Sequence, residues 1–426
     1  MATPFWYNAA LAIVKPLYQW RIKKRARDLA EYQQEYLERF GPFQAVKNTQ
    51  AIWFHCVSVG ETNAAQPLIE HYLQQGHAVL VTNTTKTGQA RAKSLFLKAP
   101  FESHFQAVYL PADLKDLVAD FYRKYQPKLL ILVETELWPN LIDQAKQFNV
   151  PCLLVNARLS EKSAKGYGKV PSLTRSMLQK LDDVLAQDTA TAQRFIALGL
   201  AKNTANVVGS IKFDISAPQI FIEKAQQLQQ EWNLRARKII TLASTHSPEE
   251  QKLLTALKPY LQQRPELLCV VVPRHPERFD EVFQVAQSLG LETQRRSLSE
   301  TIQVNTQVYL ADSMGELWQW YALSQACFVG GSLNEPGGGH NILEPMALHV
   351  PTVIGPHYFN FQVIVDDFLQ ADAVKVGQSV EDVVALLLRC IDDTDFEQQL
   401  TQHADRVLTQ NKGSLHKHIA VIDTYL

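Results

Sequence analysis

Residues 326–344 read ACFVGGSLNEPGGGHNILE. Ala326-Cys327-Phe328-Val329 is a short apolar run of the kind that makes a buried strand. Five glycines follow between Gly330 and Gly339, and Asn341 to Leu348 reads as a helix. Glycines let the backbone take positive φ and approach a ligand closely. A turn of this kind between a strand and a helix N-terminus offers free N–H groups and a favourable dipole to a phosphate. Glu344, one turn into the expected helix, is placed to accept hydrogen bonds from a ribose. The competing reading is a long surface loop before a capped helix, because glycine marks loops as well as ligands. Pro345 and the later Gly355-Pro356-His357 complete the neighbourhood.

The strand-turn-helix unit recurs in both directions along the chain. Apolar, strand-like runs lie at 51–58, 77–82, 107–110, 128–133, 150–156, 183–186 and 206–208. A second set lies at 238–243, 267–272, 307–310, 326–329 and 351–354, with helical patterns between. Nearly continuous apolar strands separated by helices indicate parallel sheets covered on both faces. The polar, Gln-rich stretch 214–238 reads as a linker plus a first helix. Two doubly wound domains imply a cleft, with ligands at the loops beyond the carboxyl ends of the strands. Those loops contain neither G-x-G-x-x-G nor G-x-x-x-x-G-K-[ST], which argues against a dinucleotide oxidoreductase and a P-loop NTPase.

The 426 residues suffice for two to three domains, and a net charge of −1 gives no reason to expect nucleic acid. Five cysteines (Cys56, Cys152, Cys269, Cys327, Cys390) lack CxxC spacing and read as free thiols of a reducing compartment. The N-terminus departs from this soluble picture. Phe5 to Trp20 is mostly apolar and aromatic, and Arg21, Lys23, Lys24, Arg25 and Arg27 follow. The run is short against the ~20 residues of a spanning helix, and its charges come after the apolar stretch, unlike a signal peptide. It suits a helix lying in a membrane interface beside anionic lipid. An amphipathic helix packed on the protein body is the alternative.

Several strand ends carry chemistry. Ser58-Val59-Gly60-Glu61 puts a carboxylate where a general base belongs, although Ser58-x-x-Glu61 also fits a capping box. Pro67 prefers a first helical turn, which favours a helix starting after Glu61 and weakens the capping reading. Glu134-Thr135-Glu136-Leu137-Trp138-Pro139-Asn140 gathers two carboxylates, a Trp and an Asn; burying such acids is costly without partners, so the cluster reads as a site. Asn156 to Ser160 leads into Lys162, Lys165, Lys169 and Arg175, suited to phosphate or carboxylate or else a solvated charged surface. Lys212 is placed to steady developing negative charge. In the second half, Ser247, Pro248 and Glu250 read as N-cap, N1 and N3 of a helix, leaving Ser244 and Thr245 free to face a ligand. Arg274 reads as a phosphate fork. Asp312 to Glu316 makes another strand-to-helix turn, with capping by Asp312 or Ser313 as its simpler explanation. His246, His275, His340 and His357 occupy four loops without metal-ligand spacing.

Taken in order, SVGE (58–61), ETELWPN (134–140), NARLSEKSAKGY (156–167), IKFD (211–214), ASTH (243–246), PRHPERF (273–279), MGEL (314–317), FVGGSL (328–333), GGHNILEP (338–345) and GPHYFNF (355–361) resemble the 3-deoxy-D-manno-octulosonic acid (Kdo) transferases of lipopolysaccharide assembly, glycosyltransferase family 30. The resemblance spans nearly the whole chain. It implies an α/β GT-B fold, two Rossmann-like doubly wound domains facing across a cleft. The expected division is a membrane-associating segment at 1–40, an acceptor-binding domain at 41–215, a CMP-Kdo-binding domain at 216–405 and a C-terminal helix at 406–426 that packs back on the first domain. It implies inverting transfer of Kdo from CMP-Kdo to the lipid A precursor lipid IVA at the cytoplasmic face of the inner membrane of a Gram-negative cell. No metal or other cofactor is expected. Glu61 matches the general base, and Lys212 with Glu134 or Glu136 matches positions that support the transition state, Glu134 lying closer to the strand end. CMP would be held by Pro273 and Arg274, by Met314, Gly315 and Glu316, and by Asn341, Ile342, Leu343 and Glu344. Arg158, Lys162 and Lys165 would receive the phosphorylated acceptor. Small departures are Thr62 where an aliphatic residue is common, Ser210-Ile211 for Asn-Leu, and the variant loop Asn334-Glu335-Pro336. The rival expectations are a GT-B enzyme for a UDP- or GDP-sugar and a non-catalytic, membrane-associated nucleotide-binding protein.

Overall fold

The structure, a computed structural model, describes residues 3–43 and 45–426, so the first two residues of the expected N-terminal segment lie outside the described residues. The chain forms two compact units, 1–214 with 411–426, and 215–410. In the first unit seven strands form one parallel sheet: β1 Ile52–His55, β2 Val79–Asn83, β3 Phe105–Tyr109, β4 Leu129–Val133, β5 Cys152–Ala157, β6 Asp183–Ala186 and β7 Ala205–Val207, in the order β3-β2-β1-β4-β5-β6-β7. Trp53, Leu130 and Leu154 fill one face, and Ile52, Phe54, Ile131 and Val155 fill the other. Helices cover both faces, which is why these strands are apolar without alternation.

The second unit repeats the scheme with β8 Lys238–Thr245, β9 Leu267–Pro273, β10 Thr293–Arg295, β11 Val308–Leu310, β12 Ala326–Val329, β13 Thr352–Ile354 and β14 Lys375–Val376, again all parallel, ordered β10-β11-β9-β8-β12-β13-β14. The first sheet reverses its strand order between β1 and β4; the second does so between β8 and β12, with β11 inserted between β9 and β10. Ligands of doubly wound sheets settle at such reversals, outside the carboxyl ends of the strands. Two Rossmann-like units of this kind are what the GT-B expectation requires. The sequence pattern missed β10 and β14. Both are edge strands of two or three half-buried residues, all polar but Val376, ordered by their neighbours and not by an apolar run of their own.

Two helices precede β1. Helix α1, Phe5–Arg25, is held by one face. Tyr7 donates its hydroxyl to Asp113 at 2.8 Å, Asn140 Nδ2 donates to Asn8 at 2.8 Å, and Ile22 is fully buried. Helix α2, Leu29–Phe40, is capped by Asp28 and joined to α1 by the Arg25–Glu35 ion pair. The other face of α1 shows Trp6, Ile13, Val14, Leu17 and Trp20 to solvent, Ile13 at 80% exposure, beside Arg21, Lys23 and Lys24. Among the described residues no helix is long and apolar enough to cross a membrane.

The chain re-enters the first unit at Asn411. There Asp214 accepts the backbone N–H groups of Gly413, at 2.6 Å, and Leu415. Helix Ser414–Ile422 follows and is tied down by Tyr72 to Asp423 at 2.9 Å. All five cysteines are buried with free thiols.

Candidate active site

The loops after β1 and β4 flank the first reversal. Helix α3, Val59–Gln74, starts directly after Ser58. Ser58 Oγ accepts the Glu61 N–H at 3.4 Å, Glu61 Oε2 accepts the Val57 N–H at 2.6 Å, and the Ser58 hydroxyl donates to Glu61 Oε1 at 3.2 Å. The Ser58 cap is therefore formed, with the Glu61 carboxylate reaching back to Val57, one residue before the cap, against the expectation of a helix beginning after Glu61. Pro67 lies inside α3, where it leaves one carbonyl unbonded but does not stop a helix already nucleated by its cap. Capping does not remove Glu61 from the site. Burial, with Glu136 and Glu134 close by, lifts its pKa to about 8 against the opposing pull of the Val57 N–H and the Ser58 hydroxyl. Thr62, the departure from an aliphatic residue, is buried with partners: its hydroxyl donates to Ser58 O at 2.8 Å and accepts from Asn83 Nδ2 at 3.0 Å.

The two acids after β4 have different surroundings. Glu134 takes a positive φ of 63°, and its Oε1 lies 2.7 Å from Lys212 Nζ. Glu136 accepts the Trp138 indole N–H at 3.1 Å, and burial raises its pKa. Lys212 sits in the 3₁₀ turn Ile211–Phe213 beyond β7. Asn156, at the end of β5 with φ 49°, sets that turn: its Oδ1 accepts from Ser210 Oγ and from Ile211 N, both at 3.2 Å. Its own N–H goes to Nε2 of His418 at 3.0 Å, and the His418 Nδ1–H donates to Ser414 O at 2.7 Å. The C-terminal helix thus reaches the Lys212 turn through Asn156. Asp113 does the same for the acid loop, accepting from Asn140 N at 3.1 Å, Leu141 N at 2.8 Å and Tyr7 Oη. His418, Asp113 and Tyr7 were invisible as site residues, and Asn156 showed only as the start of a basic segment, because their partners are far off in sequence.

Of the expected acceptor residues, Arg158 joins the acid loop by its backbone, donating to Glu134 O at 3.3 Å and accepting from the Thr135 hydroxyl. Lys162 and Lys165 lie on helix Glu161–Gly168, whose N-cap is Ser160. No residue of that helix is buried, so both cations are displayed at the surface.

In the second unit the glycine-rich loop differs from its sequence reading. The N–H groups expected to be free are occupied: Glu249 Oε2 accepts from His246 N at 2.9 Å and Gly331 N at 2.8 Å, and Oε1 accepts from Ser332 N at 3.0 Å and Leu333 N at 2.9 Å. Helix Glu249–Gln263 begins at Glu249 without a side-chain cap, so Ser247 and Glu250 are not its cap and N3 partner; Glu250 instead binds Arg278 at 2.7 Å. The expected helix 341–348 shrinks to Leu343–Met346, because Asn341 Oδ1 takes the Leu343 N–H at 3.1 Å and the chain leaves helical geometry by His349, φ 57°. The side chains of Ile342 and Leu343 are buried, which leaves only their backbones to meet a ligand. Asn341 Nδ2 donates to Glu344 Oε1 at 3.2 Å, and burial raises the Glu344 pKa.

Pro273 ends β9, and Arg274 beyond it is exposed with no carboxylate in ion-pair range among the described residues. Met314 is exposed, Gly315 takes φ 84°, and Glu316 is gripped by Arg296 at 2.9 Å and by the Ser313 hydroxyl. Asp312 binds Arg295 at 2.8 Å and caps no helix. His246, His275 and His340 meet, whereas His357 stands apart near Glu335. Among the described residues no group of three or more His, Cys, Asp or Glu is placed to hold a metal ion.

Comparison with known proteins agrees with this arrangement. The family model for 3-deoxy-D-manno-octulosonic-acid transferase (kdotransferase) matches residues 34–215, and that for glycosyl transferases group 1 matches residues 225–407. The chain is 36% identical over 428 residues to a 3-deoxy-D-manno-octulosonic acid transferase of Haemophilus influenzae, spanning 99% of this chain and 98% of that one. It is 60% identical to the crystallised C-terminal CMP-Kdo binding domain of WaaA from Acinetobacter baumannii, over 45% of this chain and 99% of that one, with a TM-score of 0.45. A glycosyltransferase structure from Rickettsia africae, 14% identical over 89% of this chain and 99% of its own, shares the fold with a TM-score of 0.55.

Proposed function

The chain belongs to the 3-deoxy-D-manno-octulosonic acid transferases, and we propose that it moves Kdo from CMP-Kdo to a hydroxyl of lipid IVA with inversion at the anomeric carbon, Glu61 serving as general base. The observation that carries this reading is the Glu61 carboxylate at the β1/β4 reversal, with its pKa lifted to about 8 beside two further acids. A base acts best when its pKa lies near the working pH. The acceptor hydroxyl gives its proton to Glu61, and its oxygen forms a bond to the anomeric carbon. The bond from that carbon to the CMP phosphate oxygen breaks, and CMP leaves with the electron pair. Lys212, held by Glu134, supplies positive charge where the transition state develops negative charge.

In this reading Arg274, the turn at Met314 to Glu316 and the segment Asn341 to Glu344 hold CMP, Glu344 accepting from the ribose. The charge of the leaving CMP falls to side chains, without a metal ion. Lipid IVA is a bisphosphorylated glycolipid, which suits the displayed cations Lys162 and Lys165 with Arg158. The outer face of α1, apolar and ending in a basic cluster, suits a protein lying on the cytoplasmic face of the inner membrane.

The test is mass spectrometry of lipid IVA incubated with the protein and CMP-Kdo generated in situ, beside Glu61→Gln. Kdo added by the wild type alone establishes donor, acceptor and base together. An unmodified acceptor in the presence of CMP-Kdo removes the acceptor assignment, and turnover by Glu61→Gln removes the base.

A further inference from the structure

The second unit holds a group of bases with no role in the reaction above. His246 follows β8, His275 follows β9, and His340 lies in the loop after β12. The Nε2 atoms of His246 and His340 are 2.7 Å apart, with ring centroids 5.0 Å apart and ring planes within 12° of each other, so the two rings meet head to head. Two ring nitrogens at that distance share one hydrogen, one donating and the other accepting. His275 stands edge-on to His246, with ring centroids 4.9 Å apart. Gly331 makes room for the pair: a Cβ there would stand 3.0 Å from His340 Cδ2 and 3.4 Å from His246 Cδ2.

Three features say what completes the group. It sits at the β8/β12 reversal, where doubly wound sheets receive their ligands. The amides that normally hold a phosphate at such a place are taken by Glu249, so an arriving anion meets imidazoles instead. The neighbouring acids are also committed, Glu249 to four amides and Glu250 to Arg278, while the Arg274 guanidinium has no carboxylate partner among the described residues. Glu277, 3.6 Å from His275 Nδ1, is exposed at the rim.

We infer that the His246–His340 pair, flanked by Arg274, is a proton-coupled seat for an oxyanion of the nucleotide-sugar donor, its phosphate or its sugar carboxylate. This rests on the CMP-Kdo reading above. Without an anion both imidazoles are neutral: one hydrogen lies between the two Nε2 atoms, and the ring that accepts it carries its own hydrogen on Nδ1. Burial, His275, Arg274 and Arg278 hold the His246 pKa down against the pull of Glu250, and burial, His246, Arg274 and His275 hold His340 at about 4. An anion supplies the missing negative charge, so the pair takes a proton from the buffer as the anion binds; the shared Nε2 hydrogen stays in place, both Nδ1 atoms then carry hydrogen, and the one facing the anion donates to it.

Calorimetry in buffers of different ionisation enthalpy reads that proton directly. The titrations use CMP and cytidine above the phosphate's own pKa of ~6. Uptake of a proton with CMP and none with cytidine is expected. His246→Gln and His340→Gln, on separate loops so that either suffices if the other misfolds, are expected to lose the uptake. Both should weaken CMP by roughly 10–100-fold and leave cytidine unchanged. No uptake with CMP but uptake when Kdo is added to the CMP-saturated protein assigns the seat to the sugar carboxylate. Uptake with neither, or variants that keep the wild-type proton uptake, overturns the inference. A wild type that takes up the proton with UMP and does not bind CMP supports the seat while removing the donor reading.

Discussion

Lys212 Nζ stands 2.7 Å from Glu134 Oε1, whereas Glu136, two residues on, is held by the Trp138 indole at 3.1 Å. The two acids of one motif therefore have separate partners, and the proposed mechanism gives them separate tasks. Both members of the ion pair are partly exposed, so it adds little to stability and serves mainly to place the ammonium group. Lys212→Ala is expected to lower kcat by roughly 10²–10³-fold with CMP affinity and Tm unchanged. Glu134→Gln, which leaves Lys212 present but unguided, should lose less than Lys212→Ala and more than Glu136→Gln. Steady-state kinetics of the three variants checks the order; equal losses for both acids would erase the distinction.

As the proposed general base, Glu61 acts only when ionised. With its pKa lifted to about 8, kcat/KM should climb through that pH and level off above it, and Glu61→Gln should be inactive throughout. The stability consequence has the opposite sense. The folded pKa exceeds the unfolded value of ~4.3, so across the interval between them the native state holds a proton that the unfolded chain has released. Native stability therefore falls as pH rises through that window. Glutamine can still accept the Val57 N–H and never ionises. On the alkaline side Glu61→Gln should melt above the wild type by about 1 kcal/mol, roughly 2–4 °C. Melting curves on both sides of the window check this, and a difference that does not grow with pH would contradict the burial of the charge.

Helix α1 is docked by Tyr7, Asn8 and Ile22, so its outer face can be altered without undocking it. Ile13→Glu combined with Trp20→Glu should abolish co-sedimentation with vesicles containing anionic lipid while leaving circular dichroism and Tm unchanged. Replacing Lys23 and Lys24 by Gln should weaken binding by about 1 kcal/mol per charge at low salt. Retained binding by the double Glu variant would move the membrane contact elsewhere.

The sequence was most informative where a residue's role follows from its neighbours. Leu129 to Val133 must be a central strand because all five residues are apolar, and Glu134 to Asn140 then falls at a strand end. At Ser58 to Glu61 one spacing supported both a cap and a base; the cap is formed, and because the carboxylate that accepts the Val57 N–H stays at the β1/β4 reversal, it leaves the proposed base in place. Long-range pairings left no local trace. Asn156 and His418 are 262 residues apart and Tyr7 and Asp113 are 106 apart, so nothing in either segment announces the other. The glycine-rich loop misled for the same reason: the group that fills its amides comes from Glu249, more than eighty residues earlier.

That carboxylate is open to a direct test. Each Glu249 oxygen accepts two backbone N–H groups, His246 and Gly331 on one, Ser332 and Leu333 on the other. Glu249→Gln keeps the size but turns one acceptor into a donor, which leaves two buried amides facing an NH₂ group. An unpaired buried donor costs about 1–3 kcal/mol, so the variant should lose roughly 2–4 kcal/mol in denaturant unfolding. The loss should be localised: amide exchange at 331–333 should quicken well before that of β12, and CMP affinity should fall because His340 rides on the same loop. Unchanged protection at 331–333 would mean that the loop is held by something other than Glu249.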